Sequence, residues 1–293
     1  MVSPKGRLQS AAMRTVGIVP RLQSEPAAQL ARELVARLTG RGIRALVEAE
    51  AGIPGVPSAP GCELTSTTDL LVVLGGDGTL IHAAGLCAGR EVPILGVNMG
   101  TLGFLTEFPR DGVWDALEAA LAGKLSASRR LMLAAEVRRN TEVLLSAAVL
   151  NDVVVSRDAL SRLARLEVSV DASEIATYEA DGLIIATPTG STAYSLSAGG
   201  PIVYPTLDAI LLTPICPHTL TQRPLVLPPD SPIRVRLVSR GEMFVSLDGS
   251  HGRHLEVGDE VRVRTAPHRT VLLKNPDLNP FAILRQKLRW GAR

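Results

Sequence analysis

Two hydrophobic patterns divide the chain near residue 125. Before that point, short apolar runs alternate with segments in which apolar residues recur every three or four positions. The apolar runs predict strands buried on both faces, as in a parallel sheet, at 15–19, 43–47, 70–74 and 93–97. The periodic segments predict helices that begin near Glu25, just after Thr79 and near Trp114. This order is typical of an α/β domain, with a loop expected at 50–62.

From residue 126 onward, apolar and polar residues alternate instead. This period of two predicts half-buried, mostly antiparallel strands, for example at 166–170 and 233–238. The pairs Asp248-Gly249 and Gly258-Asp259 fit hairpin turns between such strands. Asn279-Pro280 is a favourable helix start, and we expect the helix that follows to return to the first domain.

The fold class predicted from these patterns has two domains. The first is an α/β domain with a parallel sheet at 1–125, joined by the C-terminal helix at 277–293. The second is a β-rich, β-sandwich-like domain at 126–276. Residues 1–12 are expected to fray.

Composition adds little to this fold but excludes several classes of function. The 293 residues are 46% hydrophobic and only 3% aromatic, so the core must consist of Leu, Val, Ile and Ala. A net charge of +2 gives no reason to expect nucleic acid as a partner. No apolar run reaches the roughly 18 residues of a membrane span, so no membrane partner is expected. Cys62, Cys87 and Cys216 lie far apart, which favours a reducing, cytoplasmic location.

The stretch Gly75-Gly76-Asp77-Gly78-Thr79 follows the most apolar strand and precedes a helix, with Thr79 placed to cap that helix. Open α/β sheets bind ligands at the carboxyl ends of their strands. Backbone N–H groups at such a turn favour an anion, and the missing side chains let a phosphate approach closely. The alternative is a tight connection with Asp77 solvated at its tip.

Three further polar clusters interrupt apolar surroundings. Asn151-Asp152 lies between two apolar runs and is costly to bury without partners. Asp181 precedes the predicted strand 182–186, and the hydroxyl-rich segment 187–195 follows that strand. Hydroxyls and backbone amides can hold phosphate or ribose. The alternatives are a bulge or turn at Asn151-Asp152 and an ordinary Ser/Thr/Pro loop at 187–195.

Several common motifs are missing from the sequence. The first strand runs into Pro20-Arg21, so the glycine fingerprint of dehydrogenases is absent, as is a Gly-x-x-x-x-Gly-Lys phosphate loop. His251 and His254 have no neighbouring ligand set for zinc and are expected on a hairpin loop. Cys216 is expected to be a small apolar packing residue rather than a nucleophile.

The motifs taken together resemble the NAD kinase family over about 16–288. The resemblance is carried by 75–79, Asn151-Asp152 and the long stretch from Asp181 to Tyr194, with 96–105 in support. The first motif is shared with diacylglycerol-kinase-like and phosphofructokinase-like enzymes, whereas the long stretch is specific. The resemblance implies NAD bound in a crevice between an α/β and a β-rich domain. It also implies transfer of phosphate from ATP or polyphosphate to the 2′-hydroxyl of the adenosine ribose, with a divalent metal such as Mg²⁺, in a homodimer or homotetramer.

The resemblance also assigns roles to residues in the first domain. Asp77 is the expected catalytic residue, either as base toward the ribose hydroxyl or as organiser of the metal-bound donor. The donor phosphates are expected on the glycine loop, at Gly75, Gly76, Gly78 and Thr79. Gly78 and Phe104 are expected at the adenosine end. The resemblance assigns no role to residues 19–25 and no direct metal ligand. Because Lys and Arg are scarce near the motifs, the metal is expected to supply much of the positive charge.

In the second domain the resemblance assigns NAD contacts to two groups of residues. Asn151 and Asp152 are expected at the ribose and adenine, although many members have glutamate in place of Asp152. Asp181 is expected at the nicotinamide end, or at a nucleotide of a neighbouring subunit. The residues expected to line the pocket are Thr192, Ala193, Tyr194, Ser197 and Cys216.

Two other functions remain open from the residues. A lipid kinase of the related glycine-turn class predicts an apolar tunnel and leaves Asn151-Asp152 without a use. A non-catalytic nucleotide sensor on the same scaffold predicts NAD binding without turnover, and the presence of Asp77 argues against it.

Overall fold

The chain forms two units of different architecture. The computed structural model describes residues 13–87, 89–157, 164–171, 173–219, 221–239 and 242–290. The first unit ends at Arg129 and resumes at Thr270, and the second runs from Arg130 to Arg269. The boundaries predicted from the sequence, after 125 and after 276, lie a few residues away. The difference arises because the sheet of the first unit includes a strand that precedes the second unit in the sequence and one that follows it. The fraying predicted for 1–12 lies outside the described residues.

An eight-stranded sheet forms the centre of the first unit. Its strands, numbered along the whole chain, are β1 (Thr15–Pro20), β2 (Arg44–Glu48), β3 (Ser58–Ala59), β4 (Leu70–Gly75), β5 (Pro93–Asn98), β6 (Phe108–Pro109), β7 (Ala127–Arg130) and β20 (Thr270–Leu273). The order across the sheet is β3-β2-β1-β4-β5-β20-β7, with β6 also paired to β5. The pairings among β1 to β6 and between β5 and β20 are parallel. The predicted parallel sheet is therefore confirmed.

Four helices cover the two faces of this sheet. They are α1 (Glu25–Thr39), α2 (Gly61–Thr67), α3 (Asp77–Leu86) and α4 (Val113–Leu121), and the unit also contains α6 (Pro280–Leu288). Helices α1 and α4 pack in one apolar cluster with one face of the strands, which includes Val72 and Leu74. Helices α2 and α3 pack on the other face, where Leu64 and Leu80 fill the space over the glycines of β1 and β5. Helix α2 was not predicted, because its polar sequence and the prolines that precede it, Pro57 and Pro60, resemble a loop.

The connections of β1 and β4 leave the sheet in opposite directions. Strand β1 continues through α1 to β2 on one side, and β4 continues through α3 to β5 on the other. Since β1 and β4 are neighbours, the sheet has its topological switch point between them. Ligands in open α/β sheets bind in the crevice at such a point, outside the carboxyl ends of the strands.

Two six-stranded antiparallel sheets form the second unit. The first, in spatial order, contains β15 (Leu225–Leu227), β14 (Ile210–Ile215), β13 (Gly182–Ala186), β10 (Asp152–Arg157), β17 (Met243–Leu247) and β18 (His251–Leu255). The other contains β12 (Ser173–Ala180), β11 (Ala164–Val170), β16 (Ile233–Leu237), β19 (Glu260–Thr265), β8 (Leu133–Arg139) and β9 (Glu142–Val149). Their inward side chains share one core, which confirms the predicted β-sandwich-like domain. The short helix α5 (Tyr194–Ser197) follows β13.

Two local predictions in this unit were wrong. Gly258-Asp259 does not close a hairpin, because it joins β18 to β19, which belong to different sheets. Its Asp259 is buried and forms an ion pair with Arg139 of β8. His251 and His254 lie on strand β18 rather than on a loop.

The C-terminal segment is tied to the first unit by a buried carboxylate. Glu107, only 3% exposed, pairs with Lys274 and accepts the Asn275 N–H at 3.0 Å. The Asn275 side chain donates in turn to the Glu107 carbonyl. The segment from Thr270 onward belongs to the first unit, which confirms the prediction that the terminal helix returns to the first domain. Among the described residues, every helix is too short or too polar to span a bilayer.

Candidate functional site

Asp77 is the first residue of α3, and its carboxylate organises the loop that follows β5. Oδ2 accepts the N–H of Phe104 at 2.8 Å, and Oδ1 accepts those of Leu105 at 3.0 Å and Thr106 at 3.2 Å. The Thr106 hydroxyl also donates to Oδ1 at 3.3 Å. We call Asp77, the turn 75–79 and the loop 103–106 the Asp77 cluster. It lies at the carboxyl edge of the parallel sheet, on the β4 side of the switch point.

The loop 98–106 is shaped to fit this carboxylate. Asn98, at the end of β5, accepts the Gly100 N–H at 2.7 Å and donates to Thr106 Oγ1 at 3.2 Å. A Cβ added at Gly103 would collide with the Asp77 carboxylate, so only glycine allows this approach. The loop therefore holds Asp77 in one place, and no described residue forms an ion pair with it.

The glycine turn leaves backbone open to a ligand. Nothing lies within 4 Å of a Cβ built on Gly76 or Gly78, whereas one on Gly75 would meet the Thr79 side chain. Open glycines at the start of a helix suit a phosphate, because N–H groups and the helix dipole favour an anion there. The prediction that Thr79 caps α3 was wrong: the N-cap is Gly76, and Thr79 lies inside the first turn.

A second carboxylate near this edge belongs to Glu48, at the end of β2. It is 1% exposed, and its Oε1 lies 2.6 Å from His82 Nε2 on α3. In the described part of the chain, its Oε2 is buried and has no hydrogen-bond partner. The hydrogen bond to Glu48 raises the pKa of His82 above its ordinary value, against an opposing effect of burial.

This pair predicts a pH-dependent contribution of His82 to stability. Because the folded-state pKa is raised, the stabilisation is complete below the unfolded pKa of about 6.5 and is lost as pH rises through the folded value. We expect His82→Gln to lower the urea midpoint more at pH 6 than at pH 9. His218→Gln, at an exposed histidine of the second unit, is the control and should change little at either pH. An equal loss for His82→Gln at both pH values would contradict the prediction.

Asn151 and Asp152, at the start of β10, are held by a residue that the sequence analysis did not select. The Asp248 carboxylate accepts the N–H groups of Leu150 at 2.7 Å, Asn151 at 2.8 Å and Asp152 at 3.0 Å. The Asp248 N–H donates back to the Asp152 carbonyl at 3.0 Å. Asp248 has a left-handed φ of 49°, which the predicted Asp-Gly hairpin turn requires. We call Asn151, Asp152, Thr187 and Asp248 the Asp152 cluster.

The two carboxylates of the Asp152 cluster are destabilised in their charged form. Burial raises the pKa of Asp152 to about 7, and the negative charge of Asp248 adds to this effect. Burial also raises the pKa of Asp248, although the three N–H donors oppose it. Asp152 is 7% exposed, and no described residue donates a hydrogen bond to its carboxylate. A ligand hydroxyl could supply that missing partner.

Asp152 should therefore reduce stability at neutral and alkaline pH. Since its folded pKa of about 7 exceeds the unfolded value of about 3.9, stability falls as pH rises between these values and stays reduced above them, by a few kcal/mol. We expect Asp152→Asn to raise Tm at pH 8 and to change it much less at pH 5. Asp230→Asn, at an exposed aspartate of the same unit, should show no such difference. A gain that is equal at pH 5 and pH 8 would contradict this reasoning.

The hydroxyls of segment 187–195 mostly bond within the protein. Thr187 donates to the Leu150 carbonyl at 2.6 Å and accepts the Gly190 N–H at 3.0 Å. Ser191 bonds to backbone at 188 and 203, and Ser195 is hydrogen-bonded to Thr213 at 3.0 Å. These buried hydroxyls shape the loop instead of facing a ligand. The more open positions are Thr192, Ala193, Tyr194 and Ser197, and Tyr194 is 46% exposed.

The same segment packs closely on Asn151. A Cβ at Gly190 would collide with the Asn151 carbonyl, and the Thr187 N–H donates to that carbonyl at 2.8 Å. Antiparallel pairing places Asp152 opposite Ala186. Of the four polar motifs seen in the sequence, the glycine turn 75–79 belongs to the Asp77 cluster. Asn151-Asp152 and the start of segment 187–195 meet in the Asp152 cluster.

Asp181 lies elsewhere on the same sheet. It precedes β13, whereas Thr187 follows it, so the two are separated by roughly 20 Å of extended chain. Asp181 forms an ion pair with Arg157 at 2.7 Å, and its N–H donates to Ile215 beside Cys216. Cys216 is exposed with a left-handed φ of 45°, so its prediction as a packing residue was wrong. The structure brings Asp181 and Cys216 together and separates both from Asn151 and Asp152.

Sequence reasoning missed two residues at these places. Asp248 looked like a turn residue, and only the fold brings it to 150–152. Arg21 follows β1 in a segment without an assigned role, and the parallel pairing places it next to the glycine turn. The signal that was available for Arg21 is its position directly after the first strand of a parallel sheet.

The fold and the two clusters define a nucleotide-binding type of α/β protein with an added β-rich unit. Residues 16–125 match the family model of the ATP-NAD kinase N-terminal domain, and residues 150–275 match that of the ATP-NAD kinase C-terminal domain. The NAD kinase of Geobacter metallireducens is 48% identical over 286 residues, which are 96% of this chain and 100% of that protein. The NAD kinase of Geobacter sulfurreducens is 47% identical over 284 residues, with the same coverage.

Solved structures agree with these relatives. The yeast NADH kinase complexed with NADH has a TM-score of 0.88 and 29% identity, covering 99% of this chain and 93% of that one. An NAD kinase from Archaeoglobus fulgidus in complex with ATP shares the fold, with a TM-score of 0.74, 24% identity and coverage of 94% and 98%. The chain belongs to the NAD kinase family, as its motifs predicted, and it is an enzyme of that family.

Proposed function

We propose that this chain transfers the terminal phosphate of ATP to the 2′-hydroxyl of the adenosine ribose of NAD, with Asp77 as the catalytic residue. The observation that carries the proposal is Asp77 itself. It is a carboxylate fixed by four donors, beside open glycine backbone, at the edge where α/β sheets bind ligands. Family membership supports NAD as the acceptor, since the curated relatives are NAD kinases.

In the proposed step, the 2′-oxygen attacks the terminal phosphorus of ATP. The bond from that phosphorus to the oxygen of the leaving ADP breaks, and the hydroxyl proton passes to Asp77 and then to water. The products are NADP, ADP and a proton. Phosphoryl transfer depends mainly on positioning and charge stabilisation. The fixed Asp77 carboxylate positions the reacting hydroxyl. The open N–H groups of the glycine turn supply part of the charge stabilisation.

A divalent metal, proposed as Mg²⁺, would enter with the donor. Among the residues that the structure describes, no group of three or more His, Cys, Asp or Glu side chains could hold a metal ion. Magnesium fits this situation, because it keeps several waters and needs only one or two carboxylates beside substrate phosphates. Asp77 is the carboxylate available at the turn, and the metal would neutralise phosphate charge there.

The two clusters divide the contacts to NAD in this proposal. Asp77 meets the reacting ribose, with Gly78 and Phe104 beside the adenosine. Asn151 and Asp152 bind ribose and adenine, since the Asp152 carboxylate has no donor from the described residues. Thr192, Ala193, Tyr194 and Ser197 offer open surface near Asn151. Asp181 and Cys216, at the other end of their sheet, are assigned to the nicotinamide end or to a neighbouring subunit's nucleotide.

The test is an assay with purified protein, NAD, MgCl₂ and either ATP or polyphosphate, coupled to an NADP-specific dehydrogenase. We expect NADP formation with ATP, none with an NAD analogue that lacks the 2′-hydroxyl of the adenosine ribose, and none when a chelator removes magnesium. Parallel reactions with polyphosphate and with NADH define the donor and acceptor range. NAD binding without turnover on any donor would refute the proposal and leave a nucleotide sensor.

Location and assembly complete the proposal. The free cysteines Cys62, Cys87 and Cys216 fit a reducing, cytoplasmic compartment. A homodimer or homotetramer is expected from the family resemblance. Light scattering on the purified protein, with and without NAD, measures the number of subunits directly.

A further inference from the structure

The crevice at the topological switch point has two walls. One is the glycine turn 75–77 after β4, and the other is the segment 20–24 after β1. Each wall leads into the N-terminus of a helix, α3 on one face of the sheet and α1 on the other. Segment 20–24 therefore lies beside the glycine turn, at the edge where an anion would bind.

Arg21 is the cation of this segment. Pro20 pairs with Leu74 in the parallel ladder, and the Arg21 N–H continues it by donating to the Leu74 carbonyl at 2.8 Å. This register sets Arg21 opposite Gly75. Its side chain is exposed, and no described residue forms an ion pair with it. Gln23, with a left-handed φ of 54°, then turns the chain into α1.

In the described part of the chain, one other arginine without an ion pair, Arg110, follows a strand at this edge. It comes after β6, which pairs with β5, so β5 separates it from the glycine turn. Arg21 has no strand between itself and that turn. Of these two arginines, Arg21 is therefore the one that follows the strand next to β4 and its glycine turn.

We propose that Arg21 binds the phosphate chain of the phosphoryl donor, from the wall of the crevice opposite the glycine turn. The inference rests on the proposed function and adds a donor-binding residue to it. A guanidinium can hold two phosphate oxygens at once. It also retains its positive charge while negative charge grows on the phosphates of the leaving ADP. Arg21 would then share with the metal the charge neutralisation that the sequence assigned to the metal alone.

The test compares Arg21→Ala with Arg14→Ala. Arg14 is the matched control, because it is an exposed arginine at the opposite, amino end of the same strand β1. Calorimetry measures the Kd of inorganic tripolyphosphate and of Mg-ATP, and steady-state kinetics measures KM for ATP. We expect Arg21→Ala to weaken both affinities by at least about tenfold, the loss typical of a charged hydrogen bond, and Arg21→Lys to weaken them less. Tm and the Kd of NAD should stay at the wild-type values.

The outcomes separate this inference from the proposed function. Equal tripolyphosphate and ATP affinities in Arg21→Ala and Arg14→Ala, with a wild-type protein that makes NADP, would overturn the role of Arg21 alone. A wild-type protein that binds tripolyphosphate through Arg21 but makes no NADP would overturn the proposed function alone. A loss of NAD affinity equal to that of ATP would also overturn the inference, because it would indicate general damage to the first unit.

Discussion

Asp77→Asn should reduce turnover by about 10²–10⁴-fold while the Kd of NAD stays within about tenfold of wild type. The substitution keeps the shape of the side chain and removes its charge and its capacity to take a proton. If Asp77 receives the ribose proton or organises the donor, the substitution slows phosphoryl transfer and leaves the affinity for NAD nearly unchanged. Initial rates in the coupled assay and calorimetry with NAD measure the two quantities separately.

The structure adds a cost that this experiment must control. Both oxygens of Asp77 accept N–H groups of the loop 104–106. The side-chain NH₂ of Asn would replace one of these oxygens and would leave at least one backbone N–H facing another donor. A loss of about 1–3 kcal/mol in stability is expected. Part of any fall in turnover could then come from a displaced loop rather than from missing chemistry.

Thr106→Val provides the matched control. It removes the hydroxyl bonds to Asp77 and Asn98 and leaves the carboxylate in place. We expect a comparable loss of stability with a much smaller loss of turnover. If Thr106→Val is as inactive as Asp77→Asn, or if Asp77→Asn retains near-normal turnover, Asp77 is a structural residue and its catalytic assignment is wrong.

The sequence was sufficient for the Asp77 turn because every relevant signal there is local. A buried strand, three glycines and a carboxylate occur within ten residues, and strand, turn and helix follow as predicted. The hydrogen bonds from 104–106 were not predictable in the same way. They depend on β4 and β5 lying side by side, which brings together residues 27 to 29 positions apart.

The second unit shows the opposite case. Its alternating pattern predicted half-buried strands but not which strand pairs with which, because the period of two is the same in all of them. Asp248 therefore looked like an ordinary turn residue, although β17 pairs with β10 and places it over Asn151. The internal hydrogen bonds of the hydroxyls of 187–195 were not predictable for a related reason: their partners, such as Leu150 and Thr213, come from other parts of the chain.

Asp248→Asn is expected to weaken NAD binding at least tenfold, although Asp248 is assigned no contact with NAD. The carboxylate accepts three consecutive N–H groups, at 150–152, and an amide nitrogen in its place would oppose at least one of them. Asn151 and Asp152 should then shift, with about 1–3 kcal/mol lost from stability. Ser250→Ala is the control from the same hairpin loop, since Ser250 bonds to Leu247 and His251 and not to 150–152.

A double-mutant cycle decides whether Asp248 acts through Asn151. Asn151→Ala removes the proposed contact itself and should raise the Kd of NAD. If Asp248 only positions that contact, adding Asp248→Asn to Asn151→Ala should cost far less than Asp248→Asn costs alone. Additive losses would mean that Asp248 affects NAD by another route, and an unchanged Kd in Asp248→Asn would mean that the three N–H bonds serve the fold alone. Because Asp152 also loses a negative neighbour, its pKa should fall in this variant, so the pH-dependent loss of stability should move to lower pH.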